Sequence, residues 1–117
     1  PFDQPLREGY RKLLVVLTRP RDYVKGPMPA SVGALLRTAY RQFPSVFEGV
    51  ARRPDRYNAG RRLLFELEER GQAYVFAPDN LWINNTESRR ERLEATYRAG
   101  LVQAVREMPA IKAFLGL

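Results

Sequence analysis

Leu13-Leu14-Val15-Val16-Leu17 is an unbroken apolar run that stops at Thr18-Arg19-Pro20. An apolar run without alternation predicts a strand, from about residue 12 to 18, buried on both faces inside a covered parallel-type sheet. Ahead of it, residues 1–9 read as a short helical turn with Gly9 as its stop signal. After it, the Pro- and Gly-bearing segment 19–29 excludes regular structure. Val32, Leu35, Leu36, Ala39, Tyr40 and Phe43 then recur at helical spacing, predicting a one-sided helix with Ser31 as N-cap and Pro44 as its stop. Ser45 and Glu48 stand at capping-box spacing and open a short helix ending by Arg53. A further helix is expected behind Asp55 as N-cap, with Tyr57, Leu63, Leu64 and Leu67 inward and Gly71 just past its end.

Ala73-Tyr74-Val75-Phe76 supplies the second strand, near 73–77, and Pro78-Asp79-Asn80 turns it. Leu81-Trp82-Ile83 is a short apolar patch, and Trp82 is expected in core or interdomain packing. The last helix is predicted from Thr86 to Pro109, with Leu93, Tyr97, Leu101, Ala104, Val105 and Met108 on its buried face. Gly100 inside it implies close packing against a neighbour. Ile111, Phe114 and Leu115 form an apolar tail that folds back. The fold class is therefore α/β, mostly helical, with about two strands from a parallel or mixed sheet in the order β-α-α-α-β-α. Residues 1–20 read as the end of a larger sheet and 21–117 as a helical region, together one compact unit. A both-faces-apolar strand with so few partners, in a chain that begins at Pro1, reads as a piece of a longer α/β protein.

The chain has 117 residues and neither Cys nor His. That removes disulfides, thiolate nucleophiles and the commonest general base and metal ligand. No metal site, cofactor site or catalytic residue is expected. No apolar run reaches the roughly 20 residues of a bilayer span. Glu66, Glu68 and Glu69 point in different directions on a helix, and Glu66 suits pairing with Arg70 at i+4. Ser31, Ser45 and Ser88 read as helix caps. Asn84-Asn85-Thr86 matches a glycosylation sequon and reads as chance beside an N-cap Thr.

Net charge is +7, unevenly placed: residues 1–62 carry 13 bases against 5 acids, a balance of +8. A basic half suits a solvated surface, an anionic membrane or nucleic acid. Arg52, Arg53, Arg56, Arg61 and Arg62 surround Tyr57, but a helix spreads them around its axis. Ligands of open α/β sheets sit at the carboxyl ends of the strands. Arg19 and Arg21 follow the first strand there and are the candidates for contact with an anionic substrate group. Against a carboxylate elsewhere in the protein, the same Arg19 would be an ordinary ion pair.

Residues 1–10, PFDQPLREGY, followed by Lys12 to Pro20, KLLVVLTRP, resemble the late part of bacterial patatin-like phospholipases. Arg53-Pro54-Asp55-Arg56-Tyr57-Asn58, Glu66-Leu67-Glu68-x-x-Gly71, Phe76-x-Pro78 and Leu93-Glu94-x-x-Tyr97-x-x-Gly100 are similar as well. The resemblance implies a lipid acyl hydrolase working through a Ser–Asp dyad. Its Ser lies in G-x-S-x-G, its Asp in D-G-G or D-G-A, and a Gly-rich loop forms the oxyanion hole. None of these motifs falls within the 117 residues, so an inactive C-terminal region is implied. The expected partners are the rest of the parent chain, lipid substrate, an anionic membrane surface and a second copy, with no specific nucleic acid. The expected location is cytoplasmic, at most peripheral to a membrane. The competing expectation is a basic nucleic-acid-binding module.

Overall fold

A computed structural model describes residues 3–117. The elements are α1 (Asp3–Arg7), β1 (Leu13–Val16), α2 (Ala30–Ala39), α3 (Pro44–Ala51), α4 (Arg53–Glu69), β2 (Ala73–Phe76) and α5 (Arg90–Leu115). Beyond the short α1, this is the mostly helical α/β order read from the sequence. The chain divides into two compact units, residues 1–23 with 65–117, and residues 24–64. The expected division at residue 20 placed all of 21–117 together.

In the first unit β1 and β2 pair in parallel, with Leu13 opposite Ala73 and Val16 opposite Phe76. Leu13, Ala73, Val75 and Ala77 are buried, and Leu67 and Ile111 are buried with them. The opposite face of β2 meets α5: the Tyr74 hydroxyl donates to Glu107 at 3.1 Å, and its ring lies 5.9 Å from that of Phe114. On β1, by contrast, Leu14 is 41% and Val16 65% exposed. The expected double-sided burial of the first strand is thus absent among the described residues. β1 is an edge strand with one apolar face open.

The two sheet edges differ. Leu13 N–H donates to Gln72 O at 3.0 Å and Leu17 N–H to Phe76 O at 2.8 Å. Parallel pairing then turns the N–H and C=O of Leu14 and Val16 away from β2, onto the outer edge. The far edge of β2 is closed by side chains. Val75 N–H donates to Glu68 at 3.0 Å, Arg21 donates to Val75 O at 3.0 Å, and Arg21 and Glu68 pair with each other. Covering an edge in this way blocks further strand addition there. Glu68 is therefore an edge cap.

Gly71 ends α4 as the sequence indicates. Its φ is +70°, Gly71 N–H donates to Glu68 O and Gln72 N–H to Leu67 O, completing a Schellman motif.

Several helix boundaries differ from expectation. Pro29, not Ser31, caps α2. Phe43 caps α3, with Pro44 in its first turn, so the Ser45–Glu48 capping box does not form. Pro44 starts a helix instead of ending one, because the missing N–H has no partner to lose in a first turn. Asp55 lies inside the first turn of α4, where its charge suits the dipole. Arg89 caps α5 in place of Thr86, and Pro109 sits within that helix. The tail at Ile111 to Leu115 is therefore the last part of α5. Leu63 is exposed, while Leu64 and Arg61 are buried. None of the residues of α2 or α3 is buried, so the stripe from Val32 to Phe43 stays uncovered among the described residues.

Candidate functional site

The carboxyl ends of both strands open into one cavity of about 340 Å³ within the first unit. Leu17 and Thr18 contribute from the end of β1, Phe76 and residues 78–82 from β2 and the turn after it, and Thr96, Ala99, Gly100 and Gln103 from α5. This is the position at which open α/β sheets hold ligands, and its size is within the roughly 300–1,000 Å³ of small-molecule sites.

Gln103 fixes the geometry. Its side chain is buried, 5% exposed. Nε2 donates to Ala77 O at 2.7 Å and to Glu107 at 2.8 Å, while Oε1 accepts from Asp79 N–H at 3.0 Å. One amide thus holds the end of β2 and the following turn against α5. Asp79 is in turn paired with Arg106 at 2.7 Å, which raises the Arg106 pKa. Burial, followed by the nearby Glu107 carboxylate, pushes the Tyr74 hydroxyl up and keeps it a donor. The sequence reading passed over Gln103. Its signal is a lone amide inside Leu101-Val102-Gln103-Ala104-Val105.

Gly100 stands one turn before Gln103 on the same face. A Cβ built there meets nothing within 4 Å, so close packing is not the reason for this glycine. Leu93, Tyr97, Leu101, Val105 and Met108, expected inward, are all exposed; Gln103 and Ile111 are the buried side chains of α5 among the described residues. Trp82, expected in packing, is 60% exposed and forms part of the cavity wall.

Arg19 and Arg21 do not line the cavity. Arg19 donates to Asn85 Oδ1 at 2.8 Å and lies 5.2 Å from the Tyr23 ring centroid. Arg21 holds Val75 O and Glu68 and lies 5.0 Å from the centroid of Phe65. The Ser residues do not cap: Ser31 and Ser45 lie within α2 and α3, and Ser88 precedes the cap of α5. Thr86 closes a local turn, its N–H and hydroxyl both donating to Asn84 Oδ1. Among the described residues no group of acidic side chains is arranged to hold a metal ion. No helix among them is long and apolar enough to cross a membrane.

Residues 43–116 match the model of a family described as domain of unknown function (DUF6363). The chain belongs to this family. No curated protein and no solved structure matches it. The matched segment takes in α4, β2 and α5, and with them Gln103 and most of the cavity wall.

Proposed function

We propose that the chain is the C-terminal region of a patatin-like serine lipid acyl hydrolase, adding a parallel strand pair and a helical region to its sheet, and that it does not hydrolyse esters by itself. The observation that carries this reading is the asymmetry of the sheet. The β2 edge is capped by Glu68 and Arg21, whereas β1 leaves an apolar face and its outward backbone groups open. Further strands fit on the β1 side alone. The resemblance of residues 1–20 to the end of the patatin-like sheet supports the same placement. In this reading the basic excess of residues 1–62 favours peripheral docking on anionic lipid over sequence-specific nucleic acid. Arg61 is buried and stacks 5.9 Å from Tyr57, which removes one member from the Arg cluster that a nucleic-acid module would use.

The test compares the purified chain with a polypeptide that includes the residues encoded ahead of Pro1. Turnover of a p-nitrophenyl ester and labelling by a serine-directed fluorophosphonate are expected for the longer polypeptide only. Turnover by the 117 residues alone, or a longer polypeptide without G-x-S-x-G and without turnover, overturns the reading. Vesicle co-sedimentation beside a DNA titration at equal salt tests the docking: equal binding to neutral and anionic vesicles defeats it, as does salt-resistant, sequence-selective DNA binding.

A further inference from the structure

We infer that the cavity at the carboxyl ends of β1 and β2 is a binding site for one unbranched alkyl chain, its head group lying at the mouth beside Thr18 and Asn80. The inference stands on the cavity and does not depend on the hydrolase reading. Leu17, Phe76, Leu81 and Trp82 give it aliphatic and aromatic walls, and Gly100 leaves the α5 side bare.

The polar groups in the wall decide the ligand class. Gln103 uses both ends of its amide on Ala77, Asp79 and Glu107. Asp79 is neutralised by Arg106, and the Thr96 hydroxyl donates to Arg92 O at 2.8 Å. A heterocycle or sugar carries several donors and acceptors, and inside this wall they would lose water without replacement. A hydrocarbon chain loses nothing of the kind. Thr18 and Asn80 are exposed, so a polar head is met only at the mouth.

Gly100 supports the same conclusion. It weakens α5 intrinsically, and no neighbour demands it. A side chain there would extend into the cavity, so its absence keeps the volume open.

Trp82 is the single Trp of the chain and lies in the wall, so its fluorescence reports occupancy directly. The experiment titrates the protein with decanoate, decanol and butanoate below their aggregation concentrations, by fluorescence and by calorimetry. Saturable binding of both ten-carbon ligands is expected, with butanoate at least tenfold weaker. Gly100→Leu and Ala99→Leu fill the cavity and are expected to weaken decanol at least tenfold, while Gly100→Ala melts higher than the parent. Leu101→Ser, on the exposed face of α5, leaves binding unchanged. No saturable signal, equal binding by the two filled variants, or equal affinity for butanoate overturns the inference. So does binding of decanoate without decanol, which would assign the signal to the carboxylate.

Discussion

Replacing Gln103 isolates the contact that holds β2 to α5. Gln103→Leu keeps the volume and removes three hydrogen bonds, to Ala77 O, Asp79 N–H and Glu107. Glu107 is half-buried and retains Tyr74, and the Asp79 N–H is near enough to the surface to find water. The Ala77 carbonyl is different: its residue is buried, so it is left without a partner. One orphaned buried group costs about 1–3 kcal/mol, and the two lesser losses add on the order of 1 kcal/mol more. The expected total is roughly 2–4 kcal/mol, or on the order of 10 °C in Tm for a chain of this size.

Gln103→Glu supplies a second signature. One carboxylate oxygen still accepts from Asp79 N–H, but the other faces Ala77 O and Glu107, which are both acceptors. Burial and the neighbouring Glu107 raise the folded-state pKa of the new carboxyl above its ordinary value of about 4.3. A raised folded pKa means its full stability is present below the unfolded pKa and is lost as pH rises through the folded one. Gln103→Glu should approach the parent near pH 4 and fall below it at pH 7, whereas Gln103→Leu should show a constant deficit. Urea denaturation followed by circular dichroism at both pH values measures this. A Gln103→Leu variant within 0.5 kcal/mol of the parent would refute the argument.

Glu68→Ala removes the acceptor of Val75 N–H and the partner of Arg21. Because that carboxylate is partly exposed, a cost of about 1–2 kcal/mol is expected by urea titration. Gly71→Ala forces a Cβ into φ +70° and should cost about 1–2 kcal/mol, whereas Gly49→Ala, inside α3 in open space at ordinary φ, should instead gain up to about 1 kcal/mol. The Glu87 carboxylate is held down to about 2 by the side chain and backbone N–H of Arg89, with Arg92 contributing. Its contribution is therefore present above the ordinary carboxylate range and lost as pH falls toward 2. Protection of the Arg89 amide in hydrogen exchange should follow that course, and this pH dependence should vanish in Glu87→Gln, whose amide oxygen still accepts but does not titrate. Leu14→Ser and Val16→Ser should lower binding of a hydrophobic dye with little loss of stability, since both side chains are already exposed. Undiminished dye binding would move the sticky surface elsewhere.

Strand identity was legible because five consecutive apolar residues and a Tyr-Val-Phe run have few other homes. Gly71 was legible because a positive φ selects glycine. The helix starts were not. Ser31 and Ser45 carry the right side chains, but Pro29 and Pro44 fix the backbone one or two residues earlier, and dihedral restriction outweighs a hydrogen bond worth about 1 kcal/mol. Pro109 was read as a stop, yet α5 continues to Leu115, where Gly116 turns at φ +79°. The periodicity of α5 misled in a more instructive way. Leu93, Tyr97, Leu101, Val105 and Met108 form a clean stripe, and local pattern alone cannot show which stripe a two-stranded sheet will reach. Gln103 and Glu107 face β2 because its edge offers backbone groups, Ala77 O and Asp79 N–H, that only a polar side chain can satisfy. The same backbone demand places Arg21 and Glu68 at Val75, a structural role for Arg21 that its position after the first strand does not reveal.

Gly100 and Gln103 are three residues apart on α5, so they share a face, and their roles follow from that spacing. A buried amide is retained where every bond it makes is satisfied, and Gln103 meets that condition by binding the turn after β2. An ordinary core would fill the adjoining turn with Leu or Ile, gaining about 25 cal/mol for each Å² of apolar surface covered. Here the adjoining position is the residue least able to cover anything, in a helix that gains nothing from it. A rigid polar anchor beside a deliberately bare turn makes a wall fixed in place and a space kept empty. Filling that space from within, by Gly100→Leu, should therefore stabilise α5 and abolish occupancy at once, and the preference for a ten-carbon over a four-carbon chain separates a binding site from a packing defect.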